Sequence, residues 1–285
     1  CLAYGVTSNH VLALDVVLAD GSVARLGSEA PETPGYDLRA VMVGSEGTLG
    51  VVAAVCVRLT PLHAAVRTML FDFVTVEVDG TAAAVEAQAV AVEAAARSNR
   101  TRNVRVAVDD DERALIWKGR KNAFGSVATI APHYHLHDCV VPRTKLVDVL
   151  TGVYEIAGRH ELVVTNVFHA GDGNLHPLLS FDRSVPGTLE RVLRASEEIV
   201  RLCVEAGGAL SGEHGIGLEK RDFMPLVFSA EDLSAQACVR SAFDPEGRMN
   251  PQKVLPDGAR CGDFAMTRGS DAASVAADLP EGSWI

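Results

Sequence analysis

Residues 166–177, with the sequence NVFHAGDGNLHP, decide the fold of this chain, because they predict two strands joined by a tight turn. The apolar run 162–168 is typical of a strand, and 171–174, GDGN, has the composition of a turn. If residues 171–174 form the loop, His169 lies opposite His176. Opposed residues in an antiparallel pair share a face, with Cβ atoms roughly 4.5–5.5 Å apart. The segment therefore predicts an antiparallel hairpin that brings two imidazoles together.

Two imidazoles at that separation can share one metal ion. A second Gly-rich segment, 211–220 with the sequence SGEHGIGLEK, offers Glu213 as an oxygen ligand. Two histidines and one carboxylate would leave an open coordination position for a substrate. The residues alone leave open the alternative that His169 and His176 only cap a turn. Asp172 either orients a ligand imidazole or turns the hairpin, and its place in the GDGN loop favours the turn.

Composition excludes several classes of function. The chain has 285 residues, a formal net charge of -11 and no Lys/Arg cluster, which argues against nucleic acid and anionic membranes as partners. No apolar run approaches the ~20 residues of a membrane-spanning helix. Scattered cysteines without CxxC spacing predict reduced thiols and a cytoplasmic location. These cysteines are Cys1, Cys56, Cys139, Cys203, Cys238 and Cys261.

Strands and helices alternate along the chain, but the hairpin predicts a partly antiparallel sheet, so the fold class is α+β rather than doubly wound. The run 68–78 has the composition of one unusually long strand. Asp109 and the acidic residues after it predict the start of a helix. From Gly258 to Ile285 the sequence loses its periodicity, which predicts a flexible tail.

Five segments in order resemble the FAD-linked 2-hydroxy-acid oxidases and dehydrogenases, a family of vanillyl-alcohol-oxidase-type flavoproteins. This family includes glycolate oxidase, D-lactate dehydrogenase and D-2-hydroxyglutarate dehydrogenase. The resemblance covers Cys1 to Pro256, the C-terminal portion of such an enzyme. The matching segments are YGVT (4–7) with VLALDVVL (11–18), GSEGTLG (44–50), the hairpin 166–177, the 211–220 segment, and FDPEGRMNPQK (243–253).

The resemblance implies part of an FAD domain plus a cap domain whose antiparallel sheet is flanked by helices. Residues 1–62 would be the C-terminal part of the FAD domain, 63–236 the substrate domain, 237–257 a segment returning to the FAD domain, and 258–285 the tail. The family's first Gly-rich loop and small α/β subdomain have no counterpart here. Nor do the elements that the family has between the segments matching 70–72 and 76–78. We therefore expect a chain truncated at its start and shortened near residues 73–76.

The same resemblance implies roles for individual residues. A divalent metal of the Zn, Mn or Fe type would bind His169, His176 and Glu213, and His214 would be the general base. Arg120 would grip the substrate carboxylate with its bidentate fork. FAD would contact Gly44, Ser45, Glu46, Gly47, Thr48, Gly50, Asn174 and Asn250.

Each role has a plainer alternative. Residues 44–50 would otherwise be a tight strand connection, Asn250 a chain reversal and Arg120 a solvated helix charge. The alternating histidines 133, 135 and 137 suggest surface or substrate-pocket residues more than a metal site. No lysine occurs near residues 134–138, where some relatives have one, which argues against hydroxyglutarate as the substrate.

The implied function is FAD-dependent oxidation of a small 2-hydroxy acid, of the glycolate or D-lactate type, to the 2-oxo acid. An electron acceptor or a partner protein would be needed, and the chain would form homo- or hetero-oligomers. The alternative is a non-catalytic or partner-dependent fragment of such an enzyme. A metal-dependent hydrolase using the same ligands is a third interpretation, but the chain lacks an HExxH helix.

Overall fold

The computed structural model describes residues 2–30, 35–72, 74–127 and 129–259. The chain forms two compact units: Cys1–Arg58 with Ala131–Ile285, and Leu59–Ile130. The predicted substrate domain, residues 63–236, is longer than the smaller unit, which ends at Ile130. The roles of the predicted domains stay predictions. Of the predicted flexible tail, 260–285 lie outside the described residues.

Strands and helices are mixed along the described chain, as the α+β class requires. The strands are β1 (Val11–Val17), β2 (Val23–Gly27), β3 (Val51–Val57), β4 (Ala65–Phe71), β5 (Val74–Gly80), β6 (Val104–Val106), β7 (His133–Leu136), β8 (Cys139–Val140), β9 (Val163–His169) and β10 (Asn174–Phe181). The α-helices are α1 (Leu38–Met42), α2 (Ala82–Ser98), α3 (Asp110–Lys121), α4 (Ala123–Val127), α5 (Leu146–Arg159), α6 (Thr188–Glu205) and α7 (Ala230–Phe243).

The larger unit contains two antiparallel sheets. The first has the strand order β2-β1-β3, and the buried side of β1 packs with Met42, Leu49 and Phe243. In the second, β10 lies between β9 and the β7/β8 pair. Leu175 and Leu179 of β10 are fully buried against the apolar faces of α5 and α6. This packing fixes the register of β10, because a slip of one residue would place His176 and Ser180 of its other face against the helices.

The hairpin of β9 and β10 forms with a register different from the predicted one. His169 lies opposite Asn174, and His176 lies opposite Val167, so the loop is 170–173 rather than 171–174. Gly173, at the end of this loop, has a φ of +73°, a conformation that glycine adopts without strain. Because each residue's partner changes by two positions, side chains stay on their predicted faces. His169 and His176 therefore still share a face, as diagonal neighbours.

The smaller unit holds the antiparallel sheet β5-β4-β6, with Met69 and Phe71 buried with Val85 and Ala89 of α2. The prediction of one long strand over 68–78 is wrong, because the chain reverses between β4 and β5. Asp72 makes this turn with a φ of +40°. Its carboxylate accepts hydrogen bonds from Thr101 Oγ1 and from the amides of Arg102 and Asn103. These bonds come from about 30 residues away in the sequence, so local composition does not reveal the turn.

The predicted start of α3 is confirmed, since Asp109 caps it by accepting a hydrogen bond from the Glu112 amide at 2.8 Å. The thiols of Cys56, Cys139 and Cys203 are free. Cys238 is disulfide-bonded, so the prediction that all the thiols are reduced is wrong for this residue. Sequence spacing does not reveal which cysteines a fold brings together. Within the described ranges, none of the helices has both the length and the apolar character needed to cross a membrane.

Candidate functional site

Three imidazoles converge on one carboxylate oxygen in the larger unit. Glu213 Oε1 lies 2.8 Å from His176 Nε2, 3.6 Å from His169 Nε2 and 3.9 Å from His214 Nε2. His176 is buried on the central strand β10, whereas the side chains of His169, His214 and Glu213 are about half exposed. The cluster is thus anchored at its base by His176 and open to solvent on its outer side.

The hydrogen bond of His176 Nδ1 determines whether Nε2 of the neutral ring carries a proton or a lone pair. Nδ1 lies 3.1 Å from the carbonyl oxygen of His137. A carbonyl only accepts, so Nδ1 carries the proton and Nε2 of the neutral ring presents a lone pair. That lone pair faces Glu213 Oε1, which is also an acceptor, at 2.8 Å. Burial lowers the pKa of His176, although His137, Asp138 and Glu213 counteract it. A cation held by both atoms, or a proton shared between them, would make this contact favourable.

The carboxylate of Asp138 organises the loop that carries Glu213 and His214. Asp138 follows β7 in the register that places it opposite His176 on β10. Oδ2 accepts hydrogen bonds from Ser211 Oγ at 2.6 Å and from the His214 amide at 2.9 Å. Burial tends to raise the pKa of Asp138, but these donors and nearby Lys220 lower it well below its usual range. Asp138 is therefore a buried anion in the folded protein.

Asp138 also belongs to a second group of side chains whose ligand atoms lie within 4.8 Å of one another, with His176, Glu213 and His214. Its Oδ2 already accepts hydrogen bonds from Ser211 and from three consecutive amides, 212–214. That oxygen therefore has little capacity to bind a metal as well. His169 is not a member of this second group, and the ligand set His169, His176 and Glu213 stays a prediction.

The loop 44–50, predicted to contact FAD, lines an open apolar groove of about 480 Å³ with Val11 and Leu14 of β1. Gly44 and Gly47 have φ values of +86° and +73°, which glycine tolerates. The hydroxyl of Thr48 donates to the Ser45 carbonyl oxygen at 2.6 Å. Gly50 packs so closely on β1 that a Cβ would lie 2.6 Å from Val16 Cγ1.

Two other predicted cofactor residues are engaged within the protein. The carboxylate of Glu46 accepts hydrogen bonds from the Ile216 and Gly217 amides, at 2.6 and 2.8 Å. Asn250 Nδ2 donates to the Glu46 carbonyl oxygen at 2.6 Å. Asn174 differs, since it is buried and its Oδ1 has no hydrogen-bond partner among the residues described. Their roles toward FAD stay predictions.

The predicted substrate-binding Arg120 lies half-buried on α3 of the smaller unit. Its role stays a prediction. Asp172 lies in the hairpin loop, where its amide donates to the His169 carbonyl oxygen at 3.0 Å. The three alternating histidines are not alike in exposure: His133 is exposed, whereas His137 is buried and its Nε2 is unpartnered within the described chain. A surface position is therefore wrong for His137.

A cavity of about 350 Å³ opens beside His214. Its walls include Tyr134 and Leu136 of β7, Phe181 at the end of β10, and Arg183. It combines apolar and aromatic surface with a guanidinium, and it is large enough for a small organic acid.

Sequence reasoning missed the roles of Asp138, Lys220 and the Glu46 carboxylate. Lys220 is buried and its Nζ donates to the Asp138 carbonyl oxygen at 2.7 Å. Asp138 stands before the apolar run Cys139-Val-Val, and a charged residue beside a buried strand signals a paired or functional group. No comparable signal marks the contact of Glu46, whose amide partners lie 170 residues away.

Comparison with known proteins identifies the family. Residues 65–254 match the family described as "FAD linked oxidases, C-terminal domain". The chain is 37% identical to glycolate oxidase subunit GlcD of Escherichia coli K12 over 93% of its own length. It is 27% identical to the mitochondrial D-lactate dehydrogenase [cytochrome] of Arabidopsis thaliana over 89% of its length. The match spans 63% of the first relative and 53% of the second, so the chain corresponds to part of each.

Solved structures confirm the fold class. 4-Ethylphenol oxidase from Gulosibacter chungangensis superimposes with a TM-score of 0.65 at 14% identity, over 88% of this chain and 67% of that one. p-Cresol methylhydroxylase gives 0.62 at 12% identity, over 87% of this chain and 65% of that one. Both are vanillyl-alcohol-oxidase-type flavoproteins, the fold that the sequence predicts. Because residues 65–254 match the C-terminal domain of the FAD-linked oxidases, this chain belongs to that family.

Proposed function

We propose that this chain carries the metal and proton-transfer half of an enzyme that oxidises a small 2-hydroxy acid to the 2-oxo acid with FAD. The observation that carries the proposal is the pair of acceptors, His176 Nε2 and Glu213 Oε1, at 2.8 Å. A divalent cation held by His169, His176 and Glu213 would satisfy both acceptors. Metal-binding histidines commonly donate their other ring N–H to a backbone carbonyl, as His176 does to His137.

When bound, the cation supplies Lewis acidity and FAD accepts two electrons from the substrate. His214 is suited to take the proton of the substrate hydroxyl, because its half-exposed ring lines the cavity of about 350 Å³ and lies next to His176, with ring centroids 5.1 Å apart. A neutral imidazole is a general base near physiological pH. The backbone amides of 212–214 donate to Asp138, so they are not available to bind substrate oxygen.

The cavity beside His214 supports a small acid as the substrate. Its volume of about 350 Å³ and its lining by Tyr134, Leu136 and Phe181 suit a short apolar side chain on the α-carbon. Two relatives are named for glycolate and D-lactate, and we propose these acids as the first substrates to test.

A partner-dependent fragment is the second candidate, and the name of the GlcD relative supports it. That relative is named as one subunit of glycolate oxidase, and we propose that further polypeptide completes the FAD site and passes the electrons on. The groove beside residues 44–50 supports FAD contact, since it is apolar and open.

The test is anaerobic reduction of the flavin. Purified chain is incubated with FAD, and its visible spectrum is followed after addition of glycolate or D-lactate. We expect the flavin band to bleach in the wild type and in His160→Ala, a control whose ring contacts Glu198 instead. His214→Ala should take up FAD but fail to bleach. Bleaching at the wild-type rate would remove His214 from the role of base, and a chain that takes up no FAD would favour the partner-dependent fragment.

A further inference from the structure

The loop that carries Glu213 and His214 has an unusual pattern of hydrogen bonds. Its residues 211–217 belong to neither a helix nor a strand, yet six consecutive amides donate to side-chain oxygens. The amides of 212–214 donate to Asp138, and that of Gly215 donates to Ser211 Oγ at 2.7 Å. The last two, Ile216 and Gly217, donate to Glu46. Two carboxylates therefore hold this loop from its two ends.

The contacts of the Glu46 carboxylate with this loop are short and leave no room for a side chain at Gly215. Ile216 N lies 2.6 Å from Glu46 Oε1, and Gly217 N lies 2.8 Å from Oε2, so each oxygen serves one amide. A Cβ at Gly215 would lie 2.5 Å from Oε1, and Gly215 has a φ of +90°. The approach of the carboxylate therefore requires glycine at position 215.

The backbone of Glu46 is also in a conformation that side chains disfavour. Its φ is +54°, in the left-handed region that residues with a Cβ rarely adopt. Asn250 supports this conformation by donating to the Glu46 carbonyl oxygen at 2.6 Å. Such a conformation persists where the surrounding structure holds it, as Asn250 and the amides of 216 and 217 do here.

We infer that Glu46 is a positioning residue whose carboxylate acts through the 211–217 loop rather than by binding FAD. Together with Asp138, it would fix the loop so that Glu213 and His214 reach His176. This inference rests on the proposed function for the roles of Glu213 and His214, but the contact itself can be tested without metal, flavin or substrate. The inference also explains why residue 46, between Gly44 and Gly47, is a glutamate. Its side chain is long enough for the carboxylate to bind the Ile216 amide, which contact with a cofactor would not require.

Hydrogen–deuterium exchange of the intact chain tests the contact directly. Glu46→Gln keeps the size of the side chain but replaces one acceptor oxygen with a donor. We expect the amides of Ile216 and Gly217 to exchange roughly 10- to 100-fold faster, as loss of a charge-assisted hydrogen bond implies. The amides of 212–214 should keep most of their protection, because Asp138 still binds them. The matched control is Glu197→Gln, which removes an exposed pair with Arg201 on α6 and should leave the loop unchanged.

A second variant keeps the inference testable if Glu46→Gln folds poorly. Gly215→Ala places a Cβ against the Glu46 carboxylate and should give the same exchange pattern with Glu46 intact. In the flavin-loaded protein, Glu46→Gln should slow the reduction of the flavin, because Glu213 and His214 are no longer held in place. The affinity for FAD should stay unchanged. Unchanged exchange at 216 and 217, or loss of FAD affinity with a protected loop, would overturn the inference. If reduction fails in the wild type while the exchange pattern holds, only the proposed function is contradicted.

Discussion

Replacing Gly173 with alanine should damage both the stability of the hairpin and the metal site that we propose on it. Gly173 closes the loop between β9 and β10, with a φ of +73°. A Cβ built there would lie 2.2 Å from the carbonyl oxygen of Val141. Because this neighbour is backbone, the clash is relieved only if the loop moves away from Val141, which directly follows β8.

The cost can be worked from these contacts. The left-handed conformation costs an alanine about 1–2 kcal/mol. Movement of the loop breaks the hydrogen bond from the Val141 amide to the Gly173 carbonyl oxygen, now 3.0 Å, for about 0.5–1.5 kcal/mol more. The total of roughly 1.5–3.5 kcal/mol is a large part of the ~5–15 kcal/mol that stabilises a typical domain. The same movement displaces Asn174 and His176, which follow directly on β10.

Urea unfolding and Zn²⁺ titration measure the two effects. Gly171→Ala is the matched control in the same loop, because its φ is not left-handed and its Cβ would meet only the end of the Leu2 side chain, at 2.9 Å. We expect Gly171→Ala to remain within about 1 kcal/mol of the wild type. If Gly173→Ala matches that control in both stability and Zn²⁺ affinity, the link between the loop and the site is refuted.

Two further predictions concern the cores of the two units. In the smaller unit, burial tends to raise the pKa of Glu77, but hydrogen bonds from Arg113, Thr68 and Trp117 outweigh it and lower the pKa from 4.5 to about 2. A folded-state pKa below the unfolded one adds stability above pH 4.5 that is lost as the pH falls toward 2. Glu77→Gln should therefore cost about 2 kcal/mol at pH 7, after allowance for the partly exposed Arg113. In urea unfolding at several pH values, this difference should shrink below pH 4.5; a constant difference would contradict the assignment. In the larger unit, Leu179→Ala should lower the unfolding free energy by about 2–5 kcal/mol, because Leu179 is fully buried. Leu62→Ala, at a 98% exposed position of the smaller unit, should change the unfolding free energy of that unit by less than about 0.5 kcal/mol, and equal effects would show that burial does not set the cost.

Local patterns in the sequence predict the elements that build the site. The alternation of strands and helices, the cap at Asp109 and the two strands around the His169/His176 turn all follow from residue types and spacing. The loop position was wrong by one residue because Gly171 and Gly173 offer turn chemistry in both frames. The prediction that the two histidines share a face is still correct. The residue opposite each of them differs from the predicted one by two positions, and side chains on a strand alternate with a period of two.

Contacts between distant segments explain what the sequence did not reveal. Asp72 turns the chain between β4 and β5 through bonds to residues 101–103, and no glycine or proline marks that turn. Asp138 binds amides more than seventy positions away, and Glu46 binds amides 170 and 171 positions away. A motif names the residues of the 211–217 loop, but only the folded chain shows which carboxylates hold it.

Metal binding by the purified chain is the most direct test of the central claim, that His169, His176 and Glu213 hold a divalent cation. In calorimetric titration with Zn²⁺, we expect one saturable site in the wild type. His176→Ala should weaken it by roughly 100-fold or more, because it removes a direct ligand. His135→Ala, which removes a ring bonded to Ser196 instead, should bind as the wild type does. A wild-type chain that binds no Zn²⁺, or a His176→Ala variant that binds it equally well, would contradict the account.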